Sequence, residues 1–351
     1  MGIDIGTASI KMVQLKKEEE KFELETYGEI STAGYLERLD DAFQITGLKT
    51  VEAATREMLR VLLDKAETTT KQTVMTIPVF SSFVSVMEMP LMGDKELSHA
   101  IEFEARRYVP IPISEVVLDW RVIESGLIKD EVSPKPFRGK RILLIAVPRE
   151  VVNKYLKIAD DLNLKVKVLE LESFSVARSL MTGDRSSACI LDIGARASSF
   201  TIVDKGVIQM SHSLDVAGAE ITKTLAAGLG VAPTRAEEFK LTHGLDHREV
   251  EGERREIREL LNVPIEKIVD EIERMIHSYQ MKTDRKIEKL ILGGGSTQLT
   301  GLEDYIEKKL DIKAVSAYPW SRIIYPTVLS DILTKIGPQF SVAVGAAMRE
   351  S

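Results

Sequence analysis

Gly2-Ile3-Asp4-Ile5-Gly6-Thr7-Ala8-Ser9 opens the chain, and Leu191-Asp192-Ile193-Gly194-Ala195-Arg196-Ala197-Ser198-Ser199 repeats its theme. Each copy sets Asp-x-Gly between apolar runs with hydroxyl residues just beyond, and the two aspartates lie 188 positions apart. Ile3, Ile5, Ile10, Met12, Val13 and Leu15 flank the first turn, a pattern that predicts strand, tight turn, strand. Glycine at such a bend exposes several backbone N–H groups to one point, a concavity suited to phosphate oxygens. The hydroxyls of Thr7, Ser9 and Ser198 add donors. An aspartate at each turn suits Mg²⁺, held through water because Mg²⁺ dehydrates reluctantly. Two such turns face to face would clamp a triphosphate. Either turn alone reads better as an ordinary hairpin, since hairpins favour Asp and Gly anyway.

A third segment joins them. Leu290-Ile291-Leu292-Gly293-Gly294-Gly295-Ser296 is a strand emptying into three glycines before the helix expected over 302–310. Glycines there let backbone approach a flat base or a phosphate closely. Between these landmarks, strands alternate with helix-period segments, which predicts α/β layering. Helices are expected over 51–66, 94–108, 149–162 and 174–180, with a helical stretch over 220–280. The stretch 79–147 carries Pro90, Pro110, Pro112, Pro134 and Pro136 and reads as an inserted small α/β subdomain, with an exposed loop over 126–139.

Composition narrows the class. The 351 residues are 44% hydrophobic and 29% charged, which excludes wholesale disorder. The net charge of −7 argues against sequence-independent nucleic-acid binding, which needs clustered cations. The longest run free of Asp, Glu, Lys and Arg is 16 residues, Gln72 to Met87, too short and too polar to span a membrane. No signal peptide is visible, so a cytoplasmic address is expected, and the abrupt start suggests that a few residues have been trimmed from a natural chain. The single cysteine, Cys189, sits in an apolar run and reads as a core thiol.

The order Asp4-x-Gly6, Asp192-x-Gly194, Gly293-Gly294-Gly295 resembles the actin-like ATPase superfamily, whose fold is two ribonuclease-H-like domains around a nucleotide cleft. Glu172-Ser173-Phe174-Ser175-Val176-Ala177 and Phe340-Ser341-Val342-Ala343-Val344-Gly345-Ala346-Ala347 look like its two connecting helices. Within it, Ile101-Glu102-Phe103-Glu104-Ala105-Arg106-Arg107-Tyr108-Val109-Pro110 and Glu220-Ile221-Thr222-Lys223 are similar to segments of the PilM family of type IV pilus assembly. The resemblance spans essentially the whole chain. It implies a first actin-like domain from residues 1–78, 148–185 and 336–351, the insert over 79–147, and a second domain over 186–335.

It also implies roles. Asp4 and Asp192 would hold the Mg²⁺ shell; Gly6, Thr7, Ser9 and Lys11 would line one side of the ATP phosphates, and Gly194, Ser198 and Gly218 the other. Glu237 and Lys240 would approach ribose and base, and Gly294, Gly295 and Ser296 would pack on the adenosine. Glu172 matches the position that polarises attacking water in hydrolytic relatives, or is a cap carboxylate. The implied function is an ATP-binding adaptor with weak or absent hydrolysis, peripheral to the inner membrane. Its implied partner is the cytoplasmic N-terminal peptide of a PilN-like membrane protein, captured near residues 101–112 with Arg106, Arg107 and Tyr108. Pilus motor ATPases and self-association are further contacts that the resemblance admits. An FtsA-like division protein and a sugar kinase are the competing readings, with another actin-like ATPase that polymerises as a further alternative. The first is disfavoured because the sequence stops within the closing helix; the second because no substrate-domain signature is visible.

Three other features read as structural. His243 and His247 with Asp246 between them suit a solvated loop better than a metal pair. Arg254, Arg255 and Arg258 among glutamates suit a solvent face. Met87, Met89 and Met92 suit core packing, with a partner surface as the alternative.

Overall fold

The computed structural model describes residues 1–19, 21–32, 48–130, 133–245 and 253–349. The chain opens with β1 (Gly2–Ile5), β2 (Ser9–Glu18) and β3 (Lys21–Ser31), then α1 (Leu48–Lys65) and β4 (Gln72–Ile77). Next come β5 (Phe83–Pro90), α2 (Asp94–Glu104), β6 (Val116–Asp130) and β7 (Ser133–Pro148). α3 (Arg149–Asp161), β8 (Lys165–Leu171) and α4 (Glu172–Met181) lead to the second half. That half holds β9 (Ala188–Ile193), β10 (Ser198–Asp204), β11 (Val207–Leu214), α5 (Gly218–Leu229), α6 (Pro233–His243) and α7 (Glu253–Thr283). It continues through β12 (Lys289–Gly293), α8 (Leu302–Leu310) and β13 (Ala314–Ser316), before β14 (Ile323–Ile324) and α9 (Ser330–Ala347).

The duplication seen in the sequence is a duplication of sheets. One sheet runs β14-β3-β2-β1-β4-β8 and another runs β11-β10-β9-β12-β13. In each, the hairpin strands pair antiparallel and the next two neighbours pair parallel. The parallel strands are buried and almost continuously apolar, as in Cys189-Ile190-Leu191 and Leu290-Ile291-Leu292. Cys189 is fully buried, and burial pushes its thiol up to about 12.

α4 and α9 cross between the halves. Val176 and Met181 of α4 and Val342 of α9 share a cluster with Ile190, Val203 and Ile291 of the second sheet. Beside them lies a polar knot: Glu170 accepts hydrogen bonds from Arg178 (2.7 Å), Ser175 (2.5 Å) and Arg349. Arg178 also donates to the Gly345 carbonyl at 2.6 Å.

The insert is a sheet in the order β5-β7-β6 with α2 packed on it. Met87 and Met89 are buried there, so they are core. The exposed loop expected over 126–139 is instead the far end of the β6–β7 ladder, with Gly126 opposite Gly139 and Ile128 opposite Phe137. The prolines misled. β5 stops at Pro90 opposite Gly139, so beyond that point β7 has a single neighbour, and a strand paired on one side tolerates Pro134 and Pro136.

Candidate functional site

The two Asp-x-Gly turns have the same backbone geometry. The Gly6 N–H donates to the Ser9 carbonyl at 3.0 Å, and the Gly194 N–H to the Ala197 carbonyl at 3.1 Å. Ile5 pairs with Ile10 and Ile193 with Ser198, so the registers correspond. Asp4 lies opposite Lys11 on one side and Thr76 on the other; Asp192 has Ser199 and Gly293 in those places.

Asp4 is buried and accepts a hydrogen bond from Thr76 Oγ1 at 3.0 Å. Burial raises its carboxyl above the usual range, with Lys11 pulling the other way. Lys11 Nζ donates to Ser9 Oγ at 2.6 Å and pairs with Glu29 Oε1 at 3.3 Å. Asp192 is half-buried; burial and then the charge of Asp4 push it up to about 7. Glu172, the first residue of α4, accepts from the Val79 N–H at 3.4 Å. Burial, then Asp4, then Asp192, hold Glu172 well above the ordinary carboxylate range. Three carboxyls from two sheets and a connecting helix therefore act on one another across one cleft. Among the described residues no three His, Cys, Asp or Glu groups stand close enough to ligate a metal directly.

The other predicted residues are distributed as follows. Thr7 is half-buried at the tip of the first turn. Ser198 is fully buried and its hydroxyl donates to the Val216 carbonyl at 2.6 Å, so that group faces the protein. The Gly218 N–H bonds the Gly194 carbonyl at 3.1 Å, and Ser296 Oγ donates to the same carbonyl at 3.1 Å. A Cβ on Gly218 would run into Ser296 Oγ, so glycine is required for this three-way contact. Gly294 has φ +87° and packs on Ile193, whose carbonyl carbon a Cβ would meet at 2.7 Å. Its N–H donates to the Pro338 carbonyl at 2.9 Å, tying the glycine turn to α9. Gly295 is open, with a Cβ reaching only Gln339 at 3.9 Å. Lys240 is buried; it pairs with Glu237 at 2.6 Å and donates to Thr222 Oγ1 at 3.0 Å, beneath Gly218. Burial lowers its ammonium despite Glu237.

Two groups escaped sequence reasoning. Arg196, in the second turn, lays its guanidinium over the Phe80 ring, Cζ 4.5 Å from the centroid. Tyr155 of α3 is buried, and burial, then Glu172, then Asp4, raise its phenol. The charged Arg196 within the repeated motif was the available signal for the first; Tyr155 gave none.

The insert carries a surface depression. A cavity of about 400 Å³ is lined by Arg106, Ile111, Pro112, Ile113 and Ser114. Phe103, 66% exposed, and Tyr108 are exposed aromatics of the adjoining segment, and Arg106 sits over the Phe103 ring at 5.6 Å. Arg107 pairs instead with Glu104 at 3.1 Å, its side chain 75% exposed.

His243 is half-buried against Phe239, and its Nδ1 lies 3.3 Å from the Phe239 carbonyl; His247 and Asp246 lie outside the described residues. Arg255 forms an exposed pair with Glu259 at 2.9 Å, as a solvent face predicts. Among the described residues no helix is long and apolar enough to cross a membrane.

Known proteins share this fold. Among solved structures, a PilM–PilN type IV pilus biogenesis complex superposes with a TM-score of 0.83 at 23% identity, covering 99% of this chain and 97% of that one. A MamK double helical filament superposes at 0.56 with 12% identity, covering 99% of this chain and 96% of that one. The fold is thus the actin-like ATPase fold, two ribonuclease-H-like domains around a cleft with a small α/β insert. Among curated sequences, cell division protein FtsA of Neisseria meningitidis serogroup B is 21% identical over 98% of this chain and 88% of its own length. FtsA of Escherichia coli K12 is 21% identical over 58% of this chain, and the match spans 54% of that protein. The family model described as type IV pilus assembly protein PilM matches residues 2–351. The chain belongs to that PilM family of type IV pilus assembly proteins.

Proposed function

We propose that this protein is an ATP-binding adaptor of the pilus assembly platform, capturing the cytoplasmic N-terminal peptide of a PilN-like inner-membrane protein. The observation that carries the adaptor reading is the insert cavity at Arg106 and Ile111–Ser114, flanked by exposed aromatics. A depression that combines apolar side chains with one charged anchor suits capture of a short peptide. The solved relative is a PilM–PilN complex, which supports a partner of that kind. Through such a partner the protein would sit at the inner face of the membrane.

The nucleotide reading rests on the cleft. Its two matched turns and glycine cradle fit a polyphosphate, and its three mutually repelling carboxyls fit a water-shelled divalent cation. Asp4 and Asp192 would hold the Mg²⁺ shell; Gly6, Thr7, Ser9 and Lys11 would face Gly194 and Gly218 across the phosphates. Mg-ATP would supply the bridge between the turns. A solved MreB5 of Spiroplasma citri with the same fold, TM-score 0.51, is bound to AMPPNP. Glu172, at the head of α4 beside Asp4 and Asp192, would be placed to orient an attacking water.

The test is a fluorescence anisotropy titration of the full chain with a labelled N-terminal peptide of a PilN-like protein, with and without Mg-ATP. A Kd near or below about 10 μM supports the adaptor. Absence of binding up to about 1 mM in both nucleotide states overturns it.

A further inference from the structure

We infer that Arg196 is the phosphate countercharge of the cleft, and that it sets the preference of the site for nucleotides with long phosphate chains. The inference rests on the nucleotide reading above and deepens it.

The two turns are matched position for position, so Gly6, Thr7, Ala8 and Ser9 correspond to Gly194, Ala195, Arg196 and Ala197. One copy carries a methyl where the other carries a guanidinium. That guanidinium reaches out of the second half and lies over Phe80, in the short 3₁₀ turn Val79–Ser81 of the segment leading from β4 to the insert. The N–H of the neighbouring Val79 is the donor to Glu172. Arg196 thus carries the second turn's charge to the segment after β4, next to the Val79–Glu172 contact.

The other cations of the site have carboxylate partners. Lys11 pairs with Glu29, and Lys240 is buried against Glu237. Arg196 Nε is buried and without a hydrogen-bond partner, and among the described residues no carboxylate pairs with the guanidinium. A buried guanidinium donor left unmatched is costly, and cation–π contact with Phe80 satisfies the charge but not the N–H. A phosphate oxygen supplies the missing acceptor, and a planar guanidinium matches phosphate in two-point geometry, unlike an ammonium. Asp4, Asp192 and Glu172 are acidic groups of the same cleft, each disfavouring ionisation of the others, so a polyanion entering there gains from a cation beside them. A nucleoside monophosphate, which fills less of the space between the turns, would need it less.

The test is calorimetric titration of the full chain with ATP, ADP and AMP in Mg²⁺, for wild type and the variants Arg196→Ala, Arg196→Lys and Phe80→Leu. Arg196→Ala is expected to weaken ATP about tenfold or more and AMP less than about threefold, the scale of one charged hydrogen bond. Arg196→Lys restores part of the loss, and Phe80→Leu, which removes only the ring, leaves ATP affinity within about threefold. Apo melting temperatures report any folding defect. If Arg196→Ala weakens all three nucleotides equally, or Phe80→Leu reproduces it, Arg196 is a packing residue and the inference falls. It falls equally if Arg196→Ala binds ATP like wild type. If wild type binds no nucleotide, the ATP reading fails first and this one with it.

Discussion

Gly345 of α9 lies against the backbone of Ser175 of α4 so closely that a Cβ on the glycine would stand 2.5 Å from the Ser175 carbonyl carbon and nearer still to its oxygen. The helices that join the two halves thus cross at a point with no room for a side chain. Gly345→Ala must spread α4 from α9, an overpacking cost of about 1–3 kcal/mol. Gly93, where a Cβ meets no neighbour within 4 Å, is the control, and its alanine variant is expected to cost less than about 1 kcal/mol. Urea unfolding of both variants decides; equal midpoints would mean that the crossing yields.

The raised carboxyl of Asp192 makes stability depend on pH. Its folded value, about 7, exceeds the unfolded one, so its contribution is fully present below about pH 4 and lost as pH rises through 7. Asp192→Asn removes that loss. The variant, without nucleotide, is expected to be more stable than wild type at pH 8 by roughly 1–3 kcal/mol, with the gap closing toward pH 4. A gap that stays constant across the range would show that Asp192 is not the group responsible.

Glu170 behaves in the opposite sense. Burial alone would raise its carboxyl, but the hydrogen bonds and charge of Arg178, with Ser175 and Arg349, hold it below the ordinary range. Its contribution is present above the unfolded value and lost as pH falls through the folded one. Glu170→Ala strands Arg178 and Arg349 and is expected to cost about 3–5 kcal/mol at pH 7. Denaturant melts at descending pH should show the gap between wild type and variant shrinking as pH falls below the unfolded value of a carboxylate.

On the insert, the structure separates two neighbouring arginines. Arg106 lines the cavity, whereas Arg107 projects to solvent and pairs with Glu104. Arg106→Glu is therefore expected to weaken the PilN-type peptide at least about tenfold, and Arg107→Glu by less than about threefold. The reverse ranking in the anisotropy titration would move the binding surface to the outer face of α2.

The sequence announces the paired hairpins because Asp, Gly and flanking β-branched residues are local signals, read within a few positions. The same holds for the strand before Gly293. What stayed hidden depends on partners distant in the chain. Pro134 and Pro136 suggested a loop because nothing local says that β5 ends opposite Gly139. The resemblance sends Lys240 toward ribose and base, but its contacts with Glu237 and with Thr222 of another helix are not readable locally. The hydroxyl of Ser198 was counted for a ligand, and Val216 takes it. Arg196 and Phe80 meet across 116 positions, and only the closure of the two halves brings the ring beneath the guanidinium.

Cys189 sits in β9, the central strand of its sheet, fully covered, its thiol held in the unreactive protonated form. A thiol reagent can reach it only when the second half opens, so the labelling rate of the wild-type chain is a clock for that opening. Run with and without nucleotide, it would time the breathing of one half without a probe being added. The same silence lets a second cysteine be placed on any exposed position and derivatised alone, leaving the natural one as an internal standard.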